Sequence, residues 1–394
     1  MVSQPSVGRA SCGRIEQLEV LHADAGGRNW TFVVVTTDRG LHGTGEATLE
    51  WHEGAVEGAL DDLRSLIIGE DAARIEHLWQ LMVRGSFWQS TGAVWMSAVS
   101  AVDQALWDIL GKSVDLPVYQ LLGGRCRDRL AVYGTGLDGD RPETFAASAQ
   151  QVLGESHRSM KLCPIPPSMA VDGSEGPRFA AAVMSAVRSA VGPDVHLAID
   201  LHGRTSAAMA VRYAEALTPF DVWFLEEPVA PDDVDGLARV AAATSIPIAS
   251  GERWTTTAQF LRPLHLGALA LVQPDPGHCG GISGSRRIAM LADAHHVGYA
   301  PHNPTSPVNT AAAAHVGMAS PNFVTLEIGA GEADRPAWRD QLFIDPLDIR
   351  DGWLYLSDRP GLGIEIDRTE LPRHPPRTHP RPGLVHEDGS VADW

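Results

Sequence analysis

The hydrophobic pattern changes its period twice along the chain. Residues 29–37 (NWTFVVVTT) form a β-branched and aromatic run, Asp38-Arg39-Gly40 supplies a turn, and residues 41–46 (LHGTGE) resume as a short strand, which predicts an antiparallel hairpin. From residue 53 to residue 107 the apolar positions fall at helical spacing: Ala59, Leu63, Leu66 and Ile67, then Ile75, Leu78 and Met82, then Val99, Val102, Leu106 and Ile109. The helical stretch ends near Gly111, and Pro117 and Gly123-Gly124 interrupt the residues after it, so a boundary falls near residue 130. A hairpin followed by helices predicts an α+β domain over residues 1–130. Beyond it, short apolar runs at 130–134, 160–163, 195–200, 222–227, 246–252, 269–275, 297–302 and 323–327 alternate with Ala/Leu-rich helical segments. Eight strand–helix units in about 200 residues fit a closed parallel (β/α)8, TIM-like barrel over residues 131–334 better than an open sheet. The remaining residues, 335–394, are rich in Pro and Gly without helical period and are expected to run over the surface, returning to the first domain.

Composition narrows the class of function. A chain of 394 residues, 44% hydrophobic, can bury a large core and is neither disordered nor fibrous. Thirty-one Lys and Arg against 49 Asp and Glu give a net charge of −18, with no Lys/Arg-rich block, which argues against nucleic acid and anionic membranes as partners. No uncharged apolar stretch reaches about 18 residues, and residues 1–14 lack the apolar core of a signal peptide, so a soluble, cytoplasmic protein is expected. The four cysteines stand far apart without a CxxC pair, matching neither a disulfide framework nor a zinc ribbon.

The candidate chemistry lies where the apolar runs end. Asp200, Glu226, Glu252, Asp275, His302 and Glu327 each fall at or beside the last position of a run, at intervals of 26, 26, 23, 27 and 25 residues. Such a step moves one strand around a barrel at its carboxyl-terminal rim, so six polar side chains are expected at one mouth. Three carboxylates on adjacent strands, Asp200, Glu226 and Glu252, resist common ionisation without a cation. All-oxygen ligation with room for water or substrate points to Mg²⁺, with Mn²⁺ as the alternative, rather than zinc. Asp275 can orient His302 as a general base, and His202, two residues after Asp200, shares its face and reaches the same cavity. His295, His296 and His315 fall in predicted helices and are read as solvated or packed residues.

These residues, with EEP at 226–228, HCGGI at 278–282, and segments extending from GRNWTFVVVTTDRGLHGTGEA through SAVSAVDQALWDILGK to DGSVADW, resemble the enolase superfamily in its mandelate racemase and muconate lactonizing enzyme branch. Within that branch IDLHGR, FLEEPV, SGER, QPD and APH are similar to the galactonate dehydratase group, with the mannonate dehydratases next. The resemblance implies a capping domain over a modified (β/α)7β barrel, one Mg²⁺ held by Asp200, Glu226 and Glu252, and abstraction of a proton α to a carboxylate. It further implies that His302 with Asp275 takes the proton, that His202 protonates the departing hydroxyl, and that Glu327 hydrogen-bonds the substrate carboxylate or enediolate. The implied reaction is dehydration of a sugar acid to a 2-keto-3-deoxy acid, in a homo-oligomer, commonly an octamer or tetramer. The other readings are a mannonate, gluconate or aldarate dehydratase and a catalytically silent sugar-acid-binding barrel.

One departure bears on the reaction. Racemases and lactonizing enzymes of the branch carry Lys-x-Lys on the second barrel strand, where this chain has Lys161-Leu162-Cys163, so the base on the second face is missing and one-base, one-acid elimination is favoured over racemisation. Lys161 either neutralises the substrate carboxylate or sits at a solvated strand end, and Cys163 reads as a small packing residue. Loops 21–29 and 47–53 of the cap, with Trp51, His52 and Trp88, are the candidates for substrate contact, and residues 164–177 and 303–306 for the cavity rim.

Overall fold

The computed structural model describes residues 12–393 apart from Ser86, Gln89, Ser90, Asp138, Glu155, Ser156, residues 331–337 and Pro382. Strands β1 (Ile15–Asp24), β2 (Asn29–Thr37) and β3 (His42–Glu46) form an antiparallel sheet with β2 in the middle. The expected hairpin thus gains a third strand. Residues 21–24, expected in a loop, are the end of β1, paired from Leu21↔Phe32 to Asp24↔Asn29, and the true connection is residues 25–28. Every residue of β2 except Thr36 is buried, because helices cover the sheet. They are α1 (Glu53–Ile67), α2 (Ile75–Arg84) and α3 (Ala93–Ser113). Of these α3 lies closest, its backbone almost touching β3. A Cβ on Gly43 would stand 2.0 Å from the Ala105 carbonyl oxygen, and one on Gly45 1.9 Å from that of Ala101. The glycines of LHGTGE are therefore a packing requirement.

A short α4 (Val118–Leu121) leads to the barrel. Its strands are β4 (Leu130–Leu137), β5 (Ser159–Leu162), β6 (His196–Asp200), β7 (Val222–Glu226), β8 (Ile248–Ser250), β9 (Leu271–Val272), β10 (Gly298–Tyr299) and β11 (Leu326–Gly329). All neighbouring pairs in this order are parallel. β11 pairs with β4, and a Tyr299↔Phe323 bridge joins β10 to the segment entering β11, closing the ring. Between them run α5 (Pro142–Gly154), α6 (Glu175–Val191), α7 (Ala207–Leu217), α8 (Val234–Ala243), α9 (Thr257–His265), α10 (Gly281–Ala294) and α11 (Pro307–Ala319). Eight strands with seven intervening helices among the described residues make this (β/α)7β, not the (β/α)8 that periodicity alone suggests. The α+β cap and the parallel barrel are as expected.

The strands are shorter than the apolar runs. Asp200 and Glu226 are the last residues of β6 and β7, whereas Glu252, Asp275 and His302 lie two to three residues beyond β8, β9 and β10, and Glu327 is the second residue of β11. His295 and His296 follow the end of α10 rather than lying within it. His315 is buried inside α11, accepting from the Tyr119 N–H at 3.1 Å, and burial pushes its imidazole down to about 4.

The segment after β11 carries strands that its composition conceals. β12 (Phe343–Ile344) pairs with β15 (Glu365–Ile366), and the hairpin of β13 (Asp348–Arg350) and β14 (Trp353–Tyr355) adds to β4 through Leu354↔Leu130. Further on the chain lies against the cap. The His374 carbonyl accepts from the Asp24 N–H at 3.0 Å, Asn29 Nδ2 donates to the Arg377 carbonyl at 2.7 Å, and His379 Nε2 lies 3.0 Å from Asp24 Oδ1. No helix among the described residues is long and apolar enough to cross a membrane.

The close approach of α3 predicts a strong position effect. Gly45→Ala should lower stability by about 2–3 kcal/mol through overpacking against rigid backbone, while Gly58→Ala, in open space within α1, should raise it by up to about 1 kcal/mol. Thermal melting of the two variants checks the contrast, and equal shifts would contradict it.

Candidate active site

Register brings the carboxylates together. Asp200 and Glu226 are direct partners across β6 and β7, and Asp200, Glu226 and Glu252 offer oxygens that all lie within 4.8 Å of one another. Lys161 enters from β5 and is buried rather than solvated, which corrects one of its two readings. Its Nζ lies 2.5 Å from Glu226 Oε1 and 3.2 Å from both Asp200 Oδ2 and Glu327 Oε1. The same ammonium stands 5.9 Å from the Tyr133 ring centroid, and the Tyr133 hydroxyl donates to Glu327 Oε2 at 3.2 Å.

One ammonium among four acids leaves an excess of negative charge. Burial pushes Glu226 well above the usual carboxylate range, and the neighbouring Asp200, Glu327 and Glu252 add to the rise that Lys161 opposes. Burial acts the same way on Asp200, but His202 and Lys161 outweigh it and hold that carboxyl well below its ordinary value. An all-oxygen trio so placed fits a hard divalent cation. Two residues that the sequence reading did not single out fix the trio. Gln273 Nε2 donates to Glu226 Oε2 at 2.7 Å. Arg253 grips Glu227 Oε2 with Nε at 2.8 Å and a terminal nitrogen at 2.6 Å, while Glu227 Oε1 accepts from the Gly251 N–H at 3.2 Å and from the Ser250 hydroxyl, pinning the turn that carries Glu252.

Beside the trio stands the dyad. His302 Nδ1 lies 2.7 Å from Asp275 Oδ2, which leaves Nε2 facing the cavity, 3.5 Å from Glu252 Oε2. Burial alone would lower the imidazole pKa, but Glu252, Glu327 and Asp275 raise it to about 10. A cation on the trio opposes the part of that rise due to Glu252. Asp275 is held below its ordinary value against burial by His278, His302 and a bond from Asn309 Nδ2 at 2.9 Å.

On the other flank, His202 adopts a left-handed φ of 48°. Its N–H donates to Asp200 Oδ1 at 2.7 Å and its Nε2 is 3.2 Å from Asp200 Oδ2. Its Nδ1 lies 3.5 Å from Cys163 Sγ and 3.3 Å from an Arg204 nitrogen, so Cys163 touches His202 rather than serving only as packing. Burial lowers His202, yet Asp200 and Cys163 raise it well above the usual histidine range.

His52 is exposed, with Nδ1 on the Glu50 carbonyl at 2.9 Å, and Trp51 is half-buried, its carbonyl taking a bond from Arg381 at 3.0 Å. Trp88 is 80% exposed, edge-on to Phe87. Residues 303–306 form the connection after His302, with Asn303, Thr305 and Ser306 buried and the Ser306 N–H bonded to Glu46 of the cap. Arg28, in the 25–28 connection, pairs with Glu50 at 2.6 Å and reaches the Pro304 carbonyl at 3.5 Å, tying both cap loops to the segment after His302. Residues 166–177 and Val385–Asp388 of the terminal segment line a cavity of about 490 Å³ that neither the carboxylate trio nor His202 or His302 borders.

Residues 144–370 match the enolase C-terminal domain-like family, and residues 23–123 match the mandelate racemase / muconate lactonizing enzyme N-terminal domain. The chain belongs to the enolase superfamily. It is 39% identical over 380 residues to the D-galactonate dehydratase of Variovorax paradoxus, covering 95% of this chain and 99% of that one. The D-galactonate dehydratase of Verminephrobacter eiseniae is 40% identical over 371 residues, 93% of this chain and 96% of its own. An Agrobacterium radiobacter structure, provisionally named a galactarate dehydratase and holding sodium and L-malate, superposes with a TM-score of 0.88 at 31% identity, covering 97% of this chain and all of that one. This superfamily member is a dehydratase, a carbon–oxygen lyase of the hydro-lyase type.

The carboxylate trio makes a direct prediction. Saturating Mg²⁺ should raise the melting temperature, since a ligand at a hundred times its Kd adds about 2.7 kcal/mol, and Asp200→Asn should abolish the rise. A rise that persists in the variant would place the cation elsewhere.

Proposed function

We propose that this enzyme is an Mg²⁺-dependent dehydratase of a sugar acid of the D-galactonate type, giving a 2-keto-3-deoxy acid. The observation that carries the reading is the placement of His302 Nε2, backed by Asp275 and 3.5 Å from a ligand-type carboxylate, on the rim where the trio converges. Asp200, Glu226 and Glu252 would hold the cation, which when bound withdraws charge from the substrate carboxylate and so acidifies its α-proton.

The protein's own groups complete the reaction. His302 Nε2 takes the proton from C2 while Asp275 holds Nδ1–H and the ring orientation. Lys161 supplies positive charge toward the substrate carboxylate, and Glu327, held by Lys161 and the Tyr133 hydroxyl, hydrogen-bonds the substrate carboxylate or enediolate once it carries a proton. The C3–O bond then breaks as His202 delivers a proton to the departing hydroxyl, which leaves as water. The electron pair from C2–H becomes the C2=C3 bond of an enol, and the enol ketonises. With Cys163 where the branch's racemases place a second lysine, no base stands on the opposite face at that position, which supports elimination over racemisation. An aldarate is the second substrate reading, favoured by the likeness to the Agrobacterium structure that holds a dicarboxylate. Assembly into a homo-oligomer is part of the proposal.

Purified protein with Mg²⁺ should convert D-galactonate to a semicarbazide-reactive product, with EDTA abolishing the signal. Conversion of an aldarate in its place moves the assignment to the second reading, and inertness toward both classes overturns the proposed substrate. His302→Asn should abolish α-proton exchange with D₂O and lower turnover by about 10²–10⁴-fold. His202→Asn should lose dehydration by a similar factor while keeping exchange; loss of both would make His202 a shaping residue rather than the acid.

A further inference from the structure

A buried line of amides connects the capping domain to the proposed base. Gln104, in α3, is fully buried, and its Oε1 accepts from the Glu46 N–H at 2.9 Å. A backbone N–H can only donate, so the Gln104 amide nitrogen must face the other way. It donates to the Pro276 carbonyl and to Asn309 Oδ1, both at 3.1 Å. That contact forces the orientation of Asn309, whose Nδ2 then points to Asp275 Oδ1 at 2.9 Å and Asn303 Oδ1 at 3.1 Å. Asn303 is oriented independently, since its Nδ2 donates to the Glu327 carbonyl at 3.0 Å and the Thr310 hydroxyl at 2.8 Å. Gln104 and Asn303 are thus read from backbone groups and Asn309 from Gln104, and the donor direction runs from the cap to the carboxylate that orients His302.

We propose that Gln104 of the capping domain is a positioning residue for the His302/Asp275 base, acting through the amide of Asn309. The role rests on the reading of His302 as the base. Without the Gln104 donor the buried Asn309 Oδ1 loses that partner, and the amide, held then only through its Nδ2 bonds to Asp275 Oδ1 and Asn303 Oδ1, can shift and loosen the hold of Asp275 on His302 Nδ1. Gln104 touches neither the carboxylate trio nor any group assigned to the substrate, so its effect belongs in kcat and not in KM or cation affinity.

Three variants test this: Gln104→Met, Asn309→Leu and the double substitution. The expected loss in kcat is roughly ten- to a hundredfold for each single variant, with KM within about twofold of wild type and Mg²⁺ affinity unchanged. The decisive comparison is the cycle: Gln104→Met in the Asn309→Leu background should cost nothing more. Additive losses, or a loss confined to KM, would overturn the proposal. If Gln104→Met does not fold, Gln104→Asn keeps the polarity, shortens the reach by one methylene and should give the same pattern with a smaller loss.

A second readout needs no substrate. In protein labelled with ¹⁵N-histidine, the low-field Nδ1–H resonance of His302, identified by its disappearance in His302→Asn, should move upfield or broaden in Gln104→Met. An unmoved resonance would overturn the relay even if turnover fell. A wild type inert toward every sugar acid would sink the proposed function while leaving this test of the relay intact.

Discussion

Like charges held close in a dry place set the terms for the rest of the structure. Asp200, Glu226 and Glu327 are buried around one ammonium, with Glu252 at the edge. Such a cluster costs stability in isolation, and the surrounding architecture is what keeps it from splaying. Strand register fixes Asp200 against Glu226, Gln273 holds the outer oxygen of Glu226, and the Glu227–Arg253 fork braces the turn bearing Glu252. The repulsion so maintained would favour a cation on the trio.

The same tension sorts the two histidines. Neighbouring carboxylates raise the pKa of both, but with different backing. His302 leans on a carboxylate outside the trio, fixed by Asn309 and the Gly277 N–H. His202 leans on a member of the trio, Asp200, and any cation there competes with it for the same oxygen pair. A cation on the trio would offset the Glu252 contribution at His302 and favour the neutral imidazole that the proposed base requires, with Asp275 still orienting the ring. At His202 it would weaken the Asp200 counter-charge, so that the proton is released more readily, as the proposed acid requires.

Much of this was legible in the sequence because a barrel repeats. The near-constant spacing from Asp200 to Glu327 reports one strand per step, and the side chains that matter lie where each strand ends. The hidden parts have a common cause. Gln104, Ser97, Ser100, Asp103 and Asp108 are polar at helical spacing on α3, a pattern shared with any solvated face, yet all are buried, the first four toward the barrel and Asp108 against β3 and the terminal segment. Asp103 Oδ2 accepts from the Ser283 N–H at the start of α10, and Ser100 takes the Gly280 and Gly281 N–H groups. Only the docking of two domains decides the fate of such a face, and no local pattern encodes it. Lys161 was ambiguous for the same reason, its burial depending on three other strands. Strand β1 escaped because Glu16, Gln17 and Glu19 dilute its apolar positions at the sheet edge.

The contact of α3 with Gly43 and Gly45 bears on how such an enzyme can be remodelled. With so little clearance beneath it, α3 has one permissible seat, and through Gln104 and Glu46 that seat is transmitted to the α11 end of the barrel. Cap and barrel are consequently not interchangeable parts. A chimera that borrows the whole cap of a relative imports a helix cut for another saddle and misplaces the far side of the barrel by whatever the saddle differs. Grafts confined to residues 25–28 and 49–52 leave the saddle alone, whereas Thr48 bonds Glu46 and belongs to it.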